Sequence, residues 1–428
     1  MIKKILFLHV IFSTLIANEV YTVDELIVKA LKNSPDIDIS KLDLEASKKR
    51  YTQAFGTYLP KVDLQANTTY IDAKETTFLN DAQDTLLSGS LNLYQLLYDF
   101  GKTSGYVNAS KEITHSYDAN LKEQIILKKR DVKIAYYDIL KYLALIDVDQ
   151  ENIKLNQAQL KRAKRYFEAG IRTKIDISDA KVRLVKAEIA LLNTRYDLQS
   201  AYAVLDRVVG FATTQKNYTV SKYDVDFSKD LFALLPTYDL DLAGAIDYAY
   251  KNRPELQRLY FLTQAQKEQQ KSSYATYYPT LYLQANYLKT DAQDHPNLLN
   301  NEQLQAGVYL NWNLFNGGSD RAKRAEAAIL TQKSITQEQK IKLAIKEEVT
   351  KAYIALNKSK EQVRLSENLL RLSKEKFDQV SKQYEYGLSD YIELQEARQG
   401  YIDAKTNLAI NYYDYFSAFA VLDATLGR

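Results

Sequence analysis

Two stretches of the chain place acids after a glycine in the same way. Tyr384 to Arg398 reads YEYGLSDYIELQEAR, with Asp390, Glu393 and Glu396 three, six and nine residues past Gly387. Tyr166 to Val182 reads YFEAGIRTKIDISDAKV, with Asp176 and Asp179 six and nine residues past Gly170. Acids three apart share one face of a helix. Taken alone they are charges on a solvated face, and only their repetition asks for more. The other chemistry-bearing residues offer little. There is no cysteine, and His9, His115 and His295 have no second histidine at ligand spacing. No phosphate-cradling glycine loop and no G-x-S-x-G elbow appears. The sequence therefore does not read as an enzyme and implies no cofactor or metal. With 57 Lys and Arg against 54 Asp and Glu, it shows no charge excess for nucleic acid.

The elements that would position the acids come next. MIKKILFLHVIFSTLIANEV has two lysines, an apolar run from Ile5 to Ile16 and a small residue at Ala17, so residues 1–17 are expected to be a secretory signal. No other segment approaches the ~20 apolar residues of a membrane helix.

Beyond the signal the chain repeats itself. Asn33-Ser34-Pro35-Asp36 returns as Asn252-Arg253-Pro254-Glu255, and Leu64-Gln65-Ala66-Asn67 as Leu283-Gln284-Ala285-Asn286, at an offset of 219. Gly101, Gly170 and Gly210 return as Gly318, Gly387 and Gly427, and Val204-Leu205-Asp206 as Val421-Leu422-Asp423, at 217. An internal duplication of nearly the whole chain follows. The first copy is expected over 18–210, with strands about 58–71 and 88–98 and a bend near 170. The second runs over 243–427, with strands about 277–289 and 304–315 and a bend near 387; a linker spans 211–242.

Within each copy two periods alternate. Val62, Leu64 and Ala66 interleave with Asp63, Gln65 and Asn67, and Val308, Leu310, Trp312 and Leu314 with Tyr309, Asn311 and Asn313, which predicts strands. Polar loops at 80–84 and 290–294 separate the strands of each pair, and Ser34 is expected to cap the short helix at the start of the first copy. Past Gly101 and Gly318 the period becomes seven: Ile125, Val132, Ile139, Ile146, Ile153, Leu160 and Phe167, then Val349, Leu356, Val363, Leu370, Phe377 and Tyr384. The returning segments carry Leu184, Leu191, Leu198 and Leu205, and Leu394, Tyr401, Leu408 and Leu422, beside stripes of alanine. These are antiparallel coiled-coil hairpins bent at Gly170 and Gly387. Each outgoing helix would rise ~100 Å at 1.5 Å per residue.

Four amphipathic strands are too few to close a barrel. Copies must then pool their strands: two would give a plugged eight-stranded tube, three a twelve-stranded one with an open lumen. Trp312 and the strand tyrosines suit the membrane interface. The competing architecture is a secreted coiled-coil scaffold without a pore, which gives no reason for four alternating segments at matching places.

The duplicated hairpins, the N-[SR]-P-[DE] openings and the Y-x-x-G bends followed by acids resemble the TolC-like outer-membrane factor family. That resemblance spans about residues 20–427. It implies a mostly α fold with a small β part: long helical hairpins and four transmembrane strands per protomer, assembled as a homotrimer whose twelve-stranded barrel continues into an α-helical tunnel. It further implies an outer-membrane exit duct reaching into the periplasm, serving a tripartite efflux pump or a type I secretion system. The partners would be a periplasmic adaptor, an inner-membrane transporter of RND, ABC or MFS type, and outer membrane lipid. By the same resemblance Glu393 and Glu396 ring the periplasmic aperture. Tyr384 and Asp176 brace the closed tip, with Arg172 as the basic residue at the other bend because Ser389 fills the usual basic position. Gly170, Ile171, Gly387, Leu388 and Ser389 form the tips that meet the adaptor.

Overall fold

The computed structural model describes residues 19–73, 82–171, 173–211, 218–221, 229–294 and 296–428. The expected signal at 1–17 and Arg172 lie outside them. The chain opens with β1 (Glu19–Tyr21), α1 (Val23–Asn33), α2 (Pro35–Phe55), β2 (Lys61–Ala73) and β3 (Ala82–Tyr98). It continues with α3 (Lys102–Glu168), α4 (Lys174–Val209) and β4 (Tyr218–Val220). The remainder is α5 (Leu242–Asn252), α6 (Pro254–Tyr274), β5 (Thr280–Ala292), α7 (Pro296–Leu299), β6 (Asn301–Asn311), α8 (Ser319–Glu385) and α9 (Tyr391–Leu426). The fold is mostly helical with a small sheet part. Among the described residues no helix is long and apolar enough to cross a membrane.

Element lengths recur. α3 and α8 each have 67 residues, α4 and α9 each have 36, α2 and α6 each have 21, and β2 and β5 each have 13. The two 67-residue helices begin and end without an internal break, which the heptad stripes anticipate.

β2, β3, β5 and β6 form one antiparallel sheet in that order, so β2 and β6 are its edges. The register sorts side chains by polarity. One row across all four strands is Leu64–Leu91–Tyr287–Leu304. The next row, on the opposite face because strand side chains alternate, is Asp63–Asn92–Asn286–Gln305. Leu64 is 79 % exposed and Leu304 73 %, so the apolar face is uncovered within one chain.

Two strand boundaries differ from expectation. β6 ends at Asn311, leaving Trp312 and Leu314 outside it; the Trp312 indole N–H instead donates to the Tyr277 carbonyl at 3.1 Å. β3 starts at Ala82 rather than near 88 and so absorbs Asp84, expected in a loop. The Asp84 carboxylate is buried there because it accepts the backbone N–H groups of Gln293 and Asp294, each at 3.0 Å. A turn donor pair thus takes the acid out of water.

By proximity of residues the chain divides into two units, Met1–Asp38 with Glu123–Arg253 and Ile345–Arg428, and Ile39–Lys122 with Pro254–Ala344. The second holds the sheet. In the first, Val349, Leu356, Val363 and Leu370 of the α8 stripe are buried, as are Leu394, Tyr401, Leu408, Tyr415 and Leu422 of the α9 stripe. The stripe on α3 does not stay buried. Val132 and Ile139 are fully buried, but further on burial passes to Val148, Asn156, Gln159 and Ala163 while Phe167 is 44 % exposed. A strict seven-residue repeat drifts about 20° per turn pair on a 3.6-residue helix, and over several heptads that carries it off the core.

The duplicated motifs meet each other in this unit. Gly210 closes α4 at φ 79°, and a Cβ there would stand 2.6 Å from the Asn33 carbonyl oxygen. Gly427 closes α9 at φ 87° and faces Asn252 and Arg253 at 3.1 Å in the same way. The N-[SR]-P turn and the terminal glycine are one packing contact, used twice. Ser34 sits in that turn as the C-terminal cap residue of α1, with its buried hydroxyl making no protein hydrogen bond, so the expected N-cap role is not filled. The repeated aspartates each receive a tyrosine from the segment between the two copies: Tyr218 donates to Asp206 at 2.6 Å and Tyr238 to Asp423 at 2.8 Å.

Candidate functional site

The two helical bends have the same construction. At the first, Gly170 adopts φ 72° and the N–H of Ile171 reaches back to the Tyr166 carbonyl at 2.9 Å. At the second, Gly387 adopts φ 74° and the N–H of Leu388 reaches the Gln383 carbonyl at 2.8 Å. Each outgoing helix thus ends on a left-handed glycine with its last carbonyls satisfied. Ile171 and Leu388 stand at the tips, 67 % and 78 % exposed.

The helices restart three residues later, and here the repeated acids acquire a local cause. Thr173 is the N-cap of α4 and Asp176 its N3 residue; the Asp176 carboxylate accepts from the Thr173 backbone N–H at 2.9 Å and from its hydroxyl at 3.2 Å. Asp390 is the N-cap of α9, accepting the Glu393 N–H at 2.8 Å. The positions three and six past each glycine are therefore cap and N3 of a new helix, where side-chain oxygens satisfy free N–H groups and the dipole favours anions. The cap signature is legible in the sequence as Thr173 and Asp390 three residues ahead of an acid.

The acids nine past the glycine, Asp179 and Glu396, have no such local cause. Glu393 and Glu396 lie on the exposed face of α9, the Glu393 carboxylate taking a hydrogen bond from the Ser389 hydroxyl at 2.8 Å. The structure thus keeps Glu393, Glu396 and Ser389 together at one tip. The Asp176 carboxylate is engaged at its own helix cap on Thr173. The Tyr384 ring is packed with Val380, Leu394 and Ala397, with Tyr166, Phe377 and Tyr391 around them.

Sequence reading missed the basic group beside that ring. Arg162 of α3 holds its guanidinium 5.8 Å from the Tyr384 ring centre and pairs with Glu385 at 3.2 Å. Nothing in local spacing pointed to it, because the pair is made between two helices far apart in sequence. Further from the tip, Tyr401 donates to Glu151 at 2.9 Å and Lys405 pairs with the same carboxylate. Burial and that carboxylate push the Tyr401 hydroxyl well above the ordinary tyrosine range.

The family model described as outer membrane efflux protein matches residues 26–211 and 245–428. The alkaline protease secretion protein AprF of Pseudomonas aeruginosa is 23% identical over 402 residues, covering 92% of this chain and 82% of that protein. The outer membrane protein TolC of Salmonella enteritidis is 21% identical over 402 residues, covering 90% of this chain and 78% of that one. Among solved structures, the Campylobacter jejuni CmeC outer membrane channel superposes with a TM-score of 0.82 at 15% identity, over 95% of this chain and 85% of that one. The outer membrane protein VceC of Vibrio cholerae gives 0.79 at 17%, over 95% and 96%. At such identities the structural likeness speaks for the fold.

Proposed function

The chain belongs to the outer membrane efflux protein family, and on that premise we propose that it is the outer-membrane exit duct of a tripartite efflux pump or type I secretion system, a passive conduit that extends into the periplasm. One observation carries the reading most directly. The four-stranded sheet has an apolar row, Leu64–Leu91–Tyr287–Leu304, back to back with a polar row, Asp63–Asn92–Asn286–Gln305, and ends in two edges, β2 and β6. Backbone groups facing lipid must all be paired, so a sheet that crosses a bilayer has to close.

Closure by three copies, edge to edge, gives a twelve-stranded barrel with lipid outside and water within. The internal duplication supplies two hairpins of strands and two of helices to each protomer. The helical part supports the same count. Ile175, Val182, Val185, Ile189, Leu192 and Tyr196 form a heptad seam on α4 that one chain leaves exposed. Leu365, Leu369 and Leu372 do so on α8. Neighbouring copies of the same chain are the partners such seams fit. A pore-free scaffold would use the seams and leave the amphipathic sheet without a purpose.

Within the duct, Glu393 and Glu396 are assigned to the periplasmic aperture, where carboxylates from each subunit would favour cations. Tyr384 and Arg162 brace the tip; Asp176 could join them only by leaving its cap on Thr173, and Arg172 would stand at the other bend. Gly170, Ile171, Gly387, Leu388 and Ser389 are the surface offered to a periplasmic adaptor that links the duct to an inner-membrane RND, ABC or MFS transporter. Trp312 sits with Tyr277, Tyr278, Phe100 and Tyr98 at the end of the sheet where the strands meet the helices, a girdle suited to the lipid headgroups. Phe100 and Tyr278 stack there at 5.0 Å.

The test is reconstitution. In a planar bilayer the purified protein should form discrete conducting pores, and its mass in detergent should be that of three chains. A monodisperse monomer that conducts nothing would remove the proposal.

A further inference from the structure

Behind the second bend, α9 sends two polar side chains into the core rather than to water. Gln395 is 3% exposed and Arg398 is 6% exposed. Arg398 donates a hydrogen bond to the Gln395 amide oxygen. No carboxylate lies within ion-pairing distance of its guanidinium among the described residues. Burial pulls its pKa down to about 10, so it remains a cation at neutral pH, and the neighbouring Arg183 guanidinium adds to the positive field. With its oxygen given to Arg398, Gln395 leaves its amide nitrogen buried with no protein acceptor, and the nearby Tyr391 hydroxyl has none either.

Gln395 and Arg398 border a cleft of about 100 Å³ whose lining also includes Gln159, Arg162, Ser381, Leu155 and Phe377. That is room for a few waters, or for one small anion. A buried guanidinium without a counter-charge is costly unless something compensates it. The charge of Arg162 is balanced by its pair with Glu385, so the cation left uncompensated at the cleft is Arg398. On the cleft wall the Gln395 amide nitrogen is a buried donor without a protein acceptor, beside an Arg398 guanidinium that has no acid partner among the described residues.

We propose that this cleft binds a small monovalent anion of formate or chloride size, held by the Arg398 guanidinium and the Gln395 amide nitrogen. The bound anion would tie α9 to Gln159 and Arg162 of α3 just behind the bend. The site stands on the geometry of the single chain and does not depend on the pore. The planar fork of Arg398 suits a carboxylate in particular.

Thermal melting of the full-length protein in detergent, at pH 7 and constant ionic strength, reads the site out. Formate replacing gluconate, which is too bulky for the cleft, should raise Tm along a saturating curve. Chloride should compete for the same rise. Arg398→Met should melt at one temperature in all three salts, and Gln395→Leu should need about tenfold more formate, the worth of one hydrogen bond to a charge. A wild-type Tm indifferent to formate and chloride would overturn the site. So would a formate response that survives unchanged in Arg398→Met. If that variant does not fold, titration calorimetry of the wild-type protein decides: saturable heat with formate and none with gluconate supports the site, and equal heats refute it.

Discussion

At the scale of single residues, the acids of the second bend and the buried cations behave differently because water reaches one set and not the other. Glu393 and Glu396 are exposed, so at the proposed aperture they would act through the field they set, where like charges from several subunits would add. Glu393→Gln with Glu396→Gln should shift the reversal potential measured across a salt gradient toward zero. Unchanged selectivity would take the aperture away from these residues. Lys128 shows the opposite situation. Its side chain is 9% exposed and pairs at 2.7 Å with Asp36, whose carboxylate is 67% exposed. Removing the acid strands a buried ammonium, whereas removing the lysine leaves a solvated carboxylate. Asp36→Asn should therefore cost about 1 kcal/mol, limited by the exposure of the acid, and Lys128→Met should cost less; equal losses in denaturant melts would contradict the argument. The Lys128 hydrogen bond and charge hold the Asp36 carboxyl below the ordinary aspartate range. A depressed carboxyl stabilises above its unfolded pKa and loses that contribution as pH falls through the folded one. The gap between wild type and Asp36→Asn should thus narrow below about pH 3.9, the unperturbed aspartate value.

At the scale of elements, the glycines separate two functions that look alike in sequence. Gly170 and Gly210 both have positive φ, 72° and 79°. A Cβ at Gly170 would meet nothing within 4 Å, while one at Gly210 would stand 2.6 Å from a backbone oxygen. Gly170→Ala should cost about 1 kcal/mol, the strain of a left-handed residue. Gly210→Ala adds a clash with backbone that cannot swing away, so its Tm should fall clearly further. Equal melting temperatures would mean the α1–α4 contact relaxes freely. The helices, bends and strands were readable because each rests on a local period or a local conformational need. Strand ends were less readable: Asp84 is in β3 because Gln293 and Asp294, some two hundred residues on, offer it N–H groups. The N-cap expectation for Ser34 failed since the residue is buried in a turn that packs on Gly210. At the tip, Glu393 and Leu388 were visible from the bend pattern, whereas Arg162, Gln395 and Arg398 were not. Polar residues on a heptad helix read as solvent-facing until drift or packing places them inside.

At the scale of the molecule the decisive quantity is the number of strands against the number needed for closure. The larger sheet of one chain offers four strands and two edges, and an uncovered edge whose adjacent face is apolar is unstable in either water or lipid. A finished wall requires β2 of one copy to pair with β6 of the next. The chain contains no native cysteine, so the joint can be probed without background. Gln65→Cys on β2 can be combined in turn with Gln303→Cys and Gln305→Cys on β6, all on the polar side of the sheet by the observed register. Disulfides require Cβ atoms about 3.5–4.5 Å apart, so only a pair brought opposite by the inter-copy register should link. One combination should then give a ladder of one, two and three chains on a non-reducing gel, collapsing to one chain with reductant. A bond formed only within single chains would mean that β2 and β6 of the same copy meet, closing the sheet on itself. Four strands cannot surround a lumen, and in that case no conduit exists, whatever the helices do.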